Sequence, residues 1–269
     1  MNYISNILYQ NSKKSVCSFI PFLTAGYPSV DLTVKSLYVL DQEGADSIEL
    51  GIPYSDALAD GPLIQEASKV AINNGVNVDT IIKILDQIYL KIHTPIIIFT
   101  YYNPILVKGV NNFIATISKL GVKGLVIPDL PFEEADYIIY VCHIYKIELI
   151  LFISPTSSRN RIINIIDKSP GCLYLVSSTG VTGIRDSMDE NINYVSNQIV
   201  QNSDKMVMIG FGISNPEQVK NIIQSPLNVN GIVVGSAFTK IFTSYCNDTT
   251  INLIDSVRSF CREMKSATF

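Results

Sequence analysis

Pro95-Ile-Ile-Ile-Phe-Thr100 is a dense apolar run of strand length in which no polar residue alternates with the aliphatic ones. A strand with one wet face would alternate, so an unbroken run of this kind suits a strand covered on both faces, as in a parallel sheet. Seven further short apolar runs recur, at 18–23, 47–50, 124–127, 148–153, 172–176, 205–210 and 231–234. Between them lie stretches with helical spacing at 30–43, 79–90, 112–120, 133–145, 159–167, 191–201 and 215–224, and a last one at 252–265. This repeated alternation of strand and helix predicts an α/β protein: a single (β/α)8 TIM barrel over residues 1–269, with additional N-terminal and loop helices. An open doubly wound sheet is the structural alternative. Its phosphate fingerprint after the first strand is missing, and Thr24-Ala-Gly-Tyr-Pro28 stands there instead.

Composition narrows the function. The chain is 47% hydrophobic over 269 residues, which suits one large core, and no linker or low-complexity segment divides it. A formal net charge of -4, with the basic residues scattered, gives nothing to attract nucleic acid or an anionic membrane. Five cysteines, far apart and without a Cys-x-x-Cys pair, suggest neither a disulfide framework nor a zinc site. The first ten residues lack the apolar core of a signal peptide and the arginines of a transit peptide. Abundant Ile, Asn, Lys and Tyr beside few Arg suggest an AT-rich bacterial or plastid genome. The expected location is the cytoplasm, or the plastid stroma if the gene is plastid-encoded.

Two departures from the regular unit open onto the face where barrel active sites sit. One is the loop Gly51-Ile-Pro-Tyr-Ser-Asp-Ala-Leu-Ala-Asp60, followed by an additional helix at 62–73; the other is the long polar loop at 177–190, of the kind that serves as a lid. In Ser47-Ile-Glu-Leu50, period-two alternation puts Ile48 and Leu50 on one face and Ser47 and Glu49 on the other. With the aliphatic pair toward the helices, Glu49 enters the barrel mouth, where burial would raise its pKa into acid/base range. Asp60 has two readings that spacing alone leaves open. It is a second acid/base group, or it caps the helix that begins at Pro62.

Three glycine-bearing strand ends, Thr179-Gly-Val-Thr-Gly183, Gly210-Phe-Gly212 and Val234-Gly235-Ser236, follow the last three apolar runs. Any one of them reads as a tight turn. Together, in one sector of a barrel, they form a phosphate cradle of backbone N–H groups that needs no lysine. Other chemistries find no support. Of the two histidines, His93 precedes a strand and His143 falls in a helix, so no metal cluster assembles. Lys123 and Lys205 begin strands rather than end them, and Lys108 lies beyond one, which argues against a Schiff base. Gly-x-Ser-x-Gly is absent.

Taken in order, Pro21-Phe-Leu-Thr-Ala-Gly-Tyr-Pro28, the segment Glu49 to Pro62, Ile127-Pro-Asp-Leu-Pro131, Thr179 to Gly183, Gly210-Phe-Gly-Ile-Ser214 and Gly235-Ser-Ala237 resemble the α subunits of tryptophan synthase over nearly the full length. The resemblance implies retro-aldol cleavage of indole-3-glycerol phosphate to indole and glyceraldehyde 3-phosphate, without metal or cofactor on this chain. It implies Glu49 as the main acid/base and Asp60 as its partner at the indole nitrogen. By the same resemblance Gly183, Gly212, Gly235 and Ser236 hold the phosphate. Phe22, Phe99, Tyr101, Ile153, Tyr174, Thr182 and Phe211 shape the indole pocket, with the register at Tyr101 and Tyr102 open by one. It further implies a pyridoxal-phosphate-bearing β subunit as partner in an α2β2 assembly, with Pro53 and Asp56 at the interface. Tyr54 and Ala57 depart from the phenylalanine and proline of some family members. Two alternatives stay open: a non-catalytic barrel that activates a β partner, and a phosphosugar isomerase on the same fold.

Overall fold

Eight strands pair in parallel, each with the next: β1 (Ser18–Thr24), β2 (Ile48–Gly51), β3 (Ile96–Phe99), β4 (Gly124–Val126), β5 (Glu148–Ile153), β6 (Leu173–Val176), β7 (Val207–Gly210) and β8 (Gly231–Val234). Strand β8 then pairs with β1, and the barrel closes. The structure is a computed structural model that describes residues 2–176, 190–210 and 212–269. The predicted lid at 177–190 therefore falls almost entirely outside the described residues, as do Thr182, Gly183 and Phe211.

The helices among the described residues are α1 (Tyr3–Ser12), α2 (Val30–Gln42), α3 (Pro62–Asn73), α4 (Val78–Ile88), α5 (Tyr102–Lys108), α6 (Val110–Lys119), α7 (Ala135–Ile144), α8 (Arg159–Lys168), α9 (Glu190–Asn202), α10 (Pro216–Gln224), α11 (Ser236–Asn247) and α12 (Leu253–Ser266). Local chemistry sets several of their starts. Ser29 accepts a hydrogen bond from the Leu32 N–H at the head of α2, and Asn77 with Thr80 forms a capping box at the head of α4. Helix α5 is shorter than sequence periodicity detects, and Pro104 sits in its first turn, where no intrahelical N–H bond is lost. The helical stretch at 133–145 begins as a 3₁₀ turn over Phe132–Glu134 before α7 takes over.

The pleat sorts strand side chains into two cores. Outward-facing Phe19, Leu23, Ile48, Leu50, Ile98, Leu125, Leu149, Leu173, Ile209 and Ile232 pack against the helices. Inward-facing Ile20, Phe22, Ile97, Phe99, Val126, Ile150, Tyr174, Met208 and Val233 fill the barrel. Ile4 and Leu8 of α1 join this inner group and plug the bottom. Helix α1 is fixed there by Glu148, fully buried, whose carboxylate accepts from the Ser5 N–H at 3.0 Å, the Cys172 N–H at 2.8 Å and the Ser5 hydroxyl. At the opposite end of the chain, Glu43 accepts from Arg258 and Arg262, and Asp46 from Lys265, so α12 is tied to the α2–β2 turn beside the closing seam. All of this leaves the upper ends of the strands free to build a site.

Candidate active site

In β2, Ile48 and Leu50 face the helices and Glu49 faces the barrel mouth, level with Phe22 of β1. The carboxyl is 1% exposed and its Oε1 has no hydrogen-bond partner, so the oxygen is held toward the cavity without a protein donor. Burial, reinforced by the nearby Asp60 charge, pushes its pKa up to about 8.

Asp60 does not cap α3. The residue ahead of Pro62 that begins the helix is Gly61, and no side chain caps there. Instead the Asp60 carboxylate turns inward, 5% exposed, and accepts a hydrogen bond of 3.1 Å from the Tyr101 hydroxyl. The backbone of the turn is held separately, by the Gln65 side chain donating to the carbonyls of Ala57 and Asp60. Burial raises the Asp60 pKa to about 6, with the Tyr101 hydrogen bond opposing the rise. Two carboxyl groups in one cleft are thus set apart: near neutral pH, Glu49 carries its proton and Asp60 is ionised.

The cleft is lined by Glu49 and Asp60, by Gly212, Gly235 and Ser236, and by the apolar side chains of Phe22, Phe99, Tyr174, Ile64 and Val233. Gly235 is the cap residue of α11 and Ser236 its first residue, so the positive end of a 12-residue helix faces the cavity. Gly212, after β7, has φ of 86°, a conformation that glycine adopts without strain. Gly210 is needed for another reason: a Cβ there would lie 2.0 Å from the Tyr174 hydroxyl, so the bare backbone makes room for that ring. Aromatic rings pack against one another in two groups along the cleft. Phe22 and Phe99 meet edge to face at 5.5 Å, Phe99 and Tyr101 at 6.4 Å, and Phe152 packs on Tyr174 at 4.7 Å.

Most of the residues singled out from sequence converge here: Phe22, Glu49, Asp60, Phe99, Tyr174, Gly212, Gly235 and Ser236 line one cavity, and Tyr101 reaches it through Asp60. The register at the tyrosine pair resolves to Tyr101, which is buried, whereas Tyr102 begins α5. Ile153 is a correction. It faces the helices with Leu175, its neighbour in register, and does not line the cleft; the preceding residue, Phe152, turns toward the barrel interior. At the predicted interface Asp56 is exposed but Pro53 is buried within the chain itself, and Leu58 is the side chain that projects, 85% exposed. Two lining residues escaped the sequence reading. Val233 was detectable from period-two parity along β8, since it alternates with outward Ile232 and Val234. Ile64 had no local signal, because a first helical turn has no fixed inward face.

The profile described as "Tryptophan synthase alpha chain" matches residues 8–269. The chain belongs to the tryptophan synthase alpha chain family. The alpha chain of Gracilaria tenuistipitata var. liui is 54% identical over 265 residues, covering 98% of this chain and 96% of its own. That of Antithamnion sp. is 51% identical over 268 residues, covering 100% and 99%. Among solved structures, a chain of Mycobacterium tuberculosis tryptophan synthase superposes with a TM-score of 0.89 at 27% identity, covering 99% of this chain and 98% of its own. A tryptophan synthase alpha chain from Legionella pneumophila superposes with a TM-score of 0.87 at 29% identity, covering 100% and 97%. Membership in the tryptophan synthase alpha chain family makes this an indole-3-glycerol-phosphate lyase of tryptophan biosynthesis and leaves the isomerase and non-catalytic readings without support.

Proposed function

We propose that Glu49 and Asp60 divide the proton chemistry of indole-3-glycerol-phosphate cleavage between them. Glu49, protonated, gives its proton to indole C3, and positive charge develops at the indole nitrogen. The ionised Asp60 carboxylate accepts from that N–H and stabilises the charge. Glu49, now a carboxylate, removes the proton of the adjacent glycerol hydroxyl. The C3–C3′ bond breaks, its electron pair returns to the ring, and the hydroxyl carbon becomes the aldehyde of glyceraldehyde 3-phosphate. Glu49 ends the cycle carrying a proton, as it began. The step balances without a metal or cofactor on this chain.

The observation that carries this reading is the placement of two buried carboxyls on one cavity, Glu49 with an unpartnered oxygen and Asp60 with the Tyr101 hydroxyl as donor; burial pushes Glu49 up to about 8 and Asp60 to about 6. Gly212, Gly235 and Ser236 are the groups proposed to hold the phosphate, joined by Gly183. Phe22, Phe99, Tyr101 and Tyr174 enclose the indole, with Thr182 and Phe211 as further candidates. A β subunit bearing pyridoxal phosphate, in an α2β2 assembly, receives the indole at the face that carries Asp56. No helix among the described residues is long and apolar enough to cross a membrane, and the red algal relatives favour the plastid stroma as compartment. Indole release from indole-3-glycerol phosphate by the purified chain tests the assignment directly. Glu49→Gln, which can accept no proton at carboxylate strength, lowers kcat by at least about a hundredfold; full activity in that variant would remove Glu49 from the mechanism.

A further inference from the structure

Tyr54 lies in the loop between β2 and α3, six residues before Asp60, and does not line the cleft. Its ring stacks on Tyr101 with centroids 5.1 Å apart and planes inclined by 28°. Its hydroxyl accepts from the Asn103 side chain at 3.4 Å, which ties the ring to the first turn of α5. Tyr101 also meets Phe99 edge to face at 6.4 Å. The Tyr101 ring therefore packs against two aromatic neighbours, one from the β2–α3 loop and one from β3. Its hydroxyl accepts from the Ala59 N–H at 3.1 Å and donates to Asp60 Oδ2 at 3.1 Å. A phenol fixed in this way keeps its one proton directed at the carboxylate.

We propose that Tyr54 is a positioning residue of the lyase site: by stacking on Tyr101 it keeps the Tyr101 hydroxyl on Asp60. The proposal rests on the role assigned to Asp60 above. Removing the ring opens one side of Tyr101 and lets the hydroxyl swing, so Asp60 loses both its orientation and a donor that favours its ionised form. The other titratable groups around Asp60 are Glu49 of β2 and Tyr174 of β6, with Asp129 beyond β4 acting on Tyr101, and the hydrogen bond that lowers the Asp60 pKa is the one from Tyr101. Loss of the donor therefore moves the acid limb of the rate profile to higher pH.

Steady-state cleavage of indole-3-glycerol phosphate across pH provides the test, with Asp60→Asn as reference. Tyr54→Leu lowers kcat by about tenfold with little change in KM, and shifts the acid limb alkaline. Tyr54→Phe, which keeps the stack, restores both. Tyr101→Phe shifts the limb the same way, and the Tyr54→Leu/Tyr101→Phe pair is no worse than Tyr101→Phe alone, as expected of residues acting in series. Should the leucine variant not fold, Tyr54→Met fills the space without a stacking ring and is read identically. Wild-type kcat and pH profile in Tyr54→Leu beside an inactive Asp60→Asn overturns the proposal alone, as do additive losses in the pair. Full activity in Asp60→Asn overturns the assignment of Asp60 and the proposal with it.

Discussion

At the scale of single residues, the decisive physical event is the desolvation of two carboxyl groups to different degrees. Glu49 has an oxygen with no partner and a like charge nearby, so its protonated form is favoured; Asp60 has the Tyr101 donor, which favours its charged form. The sign of the pH dependence follows. Activity requires ionised Asp60, so kcat/KM rises with pH through about 6, and it requires protonated Glu49, so kcat/KM falls through about 8. The expected profile is a bell with its maximum near neutrality. A rate that climbs steadily from acid to alkaline pH would show that Glu49 acts as a base from the start. The sequence put both residues in view, but left Asp60 divided between capping a helix and acting in the site. Only the direction of its side chain, away from the N–H groups of α3 and onto Tyr101, separates the two.

Among the elements, α1 shows how a distant helix supports a barrel. Its Ile4 and Leu8 fill the bottom of the inner core, and the buried Glu148 carboxylate satisfies the N–H of Ser5 in α1 and that of Cys172, just ahead of β6. Glu148→Gln replaces one acceptor oxygen by a donor and leaves one of these N–H groups facing it unpaired, at about 1–3 kcal/mol. Denaturant unfolding is expected to show that loss, with little change in the lyase rate of the folded protein, because Glu148 opens β5 at the end opposite the cleft. An unchanged midpoint would mean that α1 is held by its apolar residues alone. Helix α5 offers the contrasting lesson: it spans seven residues, too few to show a period, yet its N-terminus orients both Tyr101 and Asn103.

For the whole molecule, the question is what the mouth of the barrel presents to a partner. Leu58 is 85% exposed, and Val107 of α5, whose first turn is bonded to the same loop through Asn103 and Tyr54, is 81% exposed. Exposed aliphatic side chains beside a catalytic cleft are unfavourable in water and suit a surface that another subunit covers. Leu58→Asp is expected to weaken complex formation with a tryptophan synthase β subunit by at least about tenfold, while cleavage by the isolated chain continues. Sedimentation of the mixture, read beside indole formation, checks both. Unimpaired assembly would move the interface away from this loop.

The order of the strands, most of the helices between them and the closed barrel were legible in the amino-acid sequence, because burial on two faces imposes unbroken apolar runs, and period-two parity already turned Glu49 toward the barrel mouth. Parity also had the information to exclude Ile153 and include Val233. What period and spacing do not encode is where loop side chains point, since loop backbone has no repeating geometry. The turning of Asp60 from cap to cleft, the burial of Pro53 and the stacking of Tyr54 on Tyr101 were all decided by tertiary packing, where residues from separate loops compete for the same small volume above the strands.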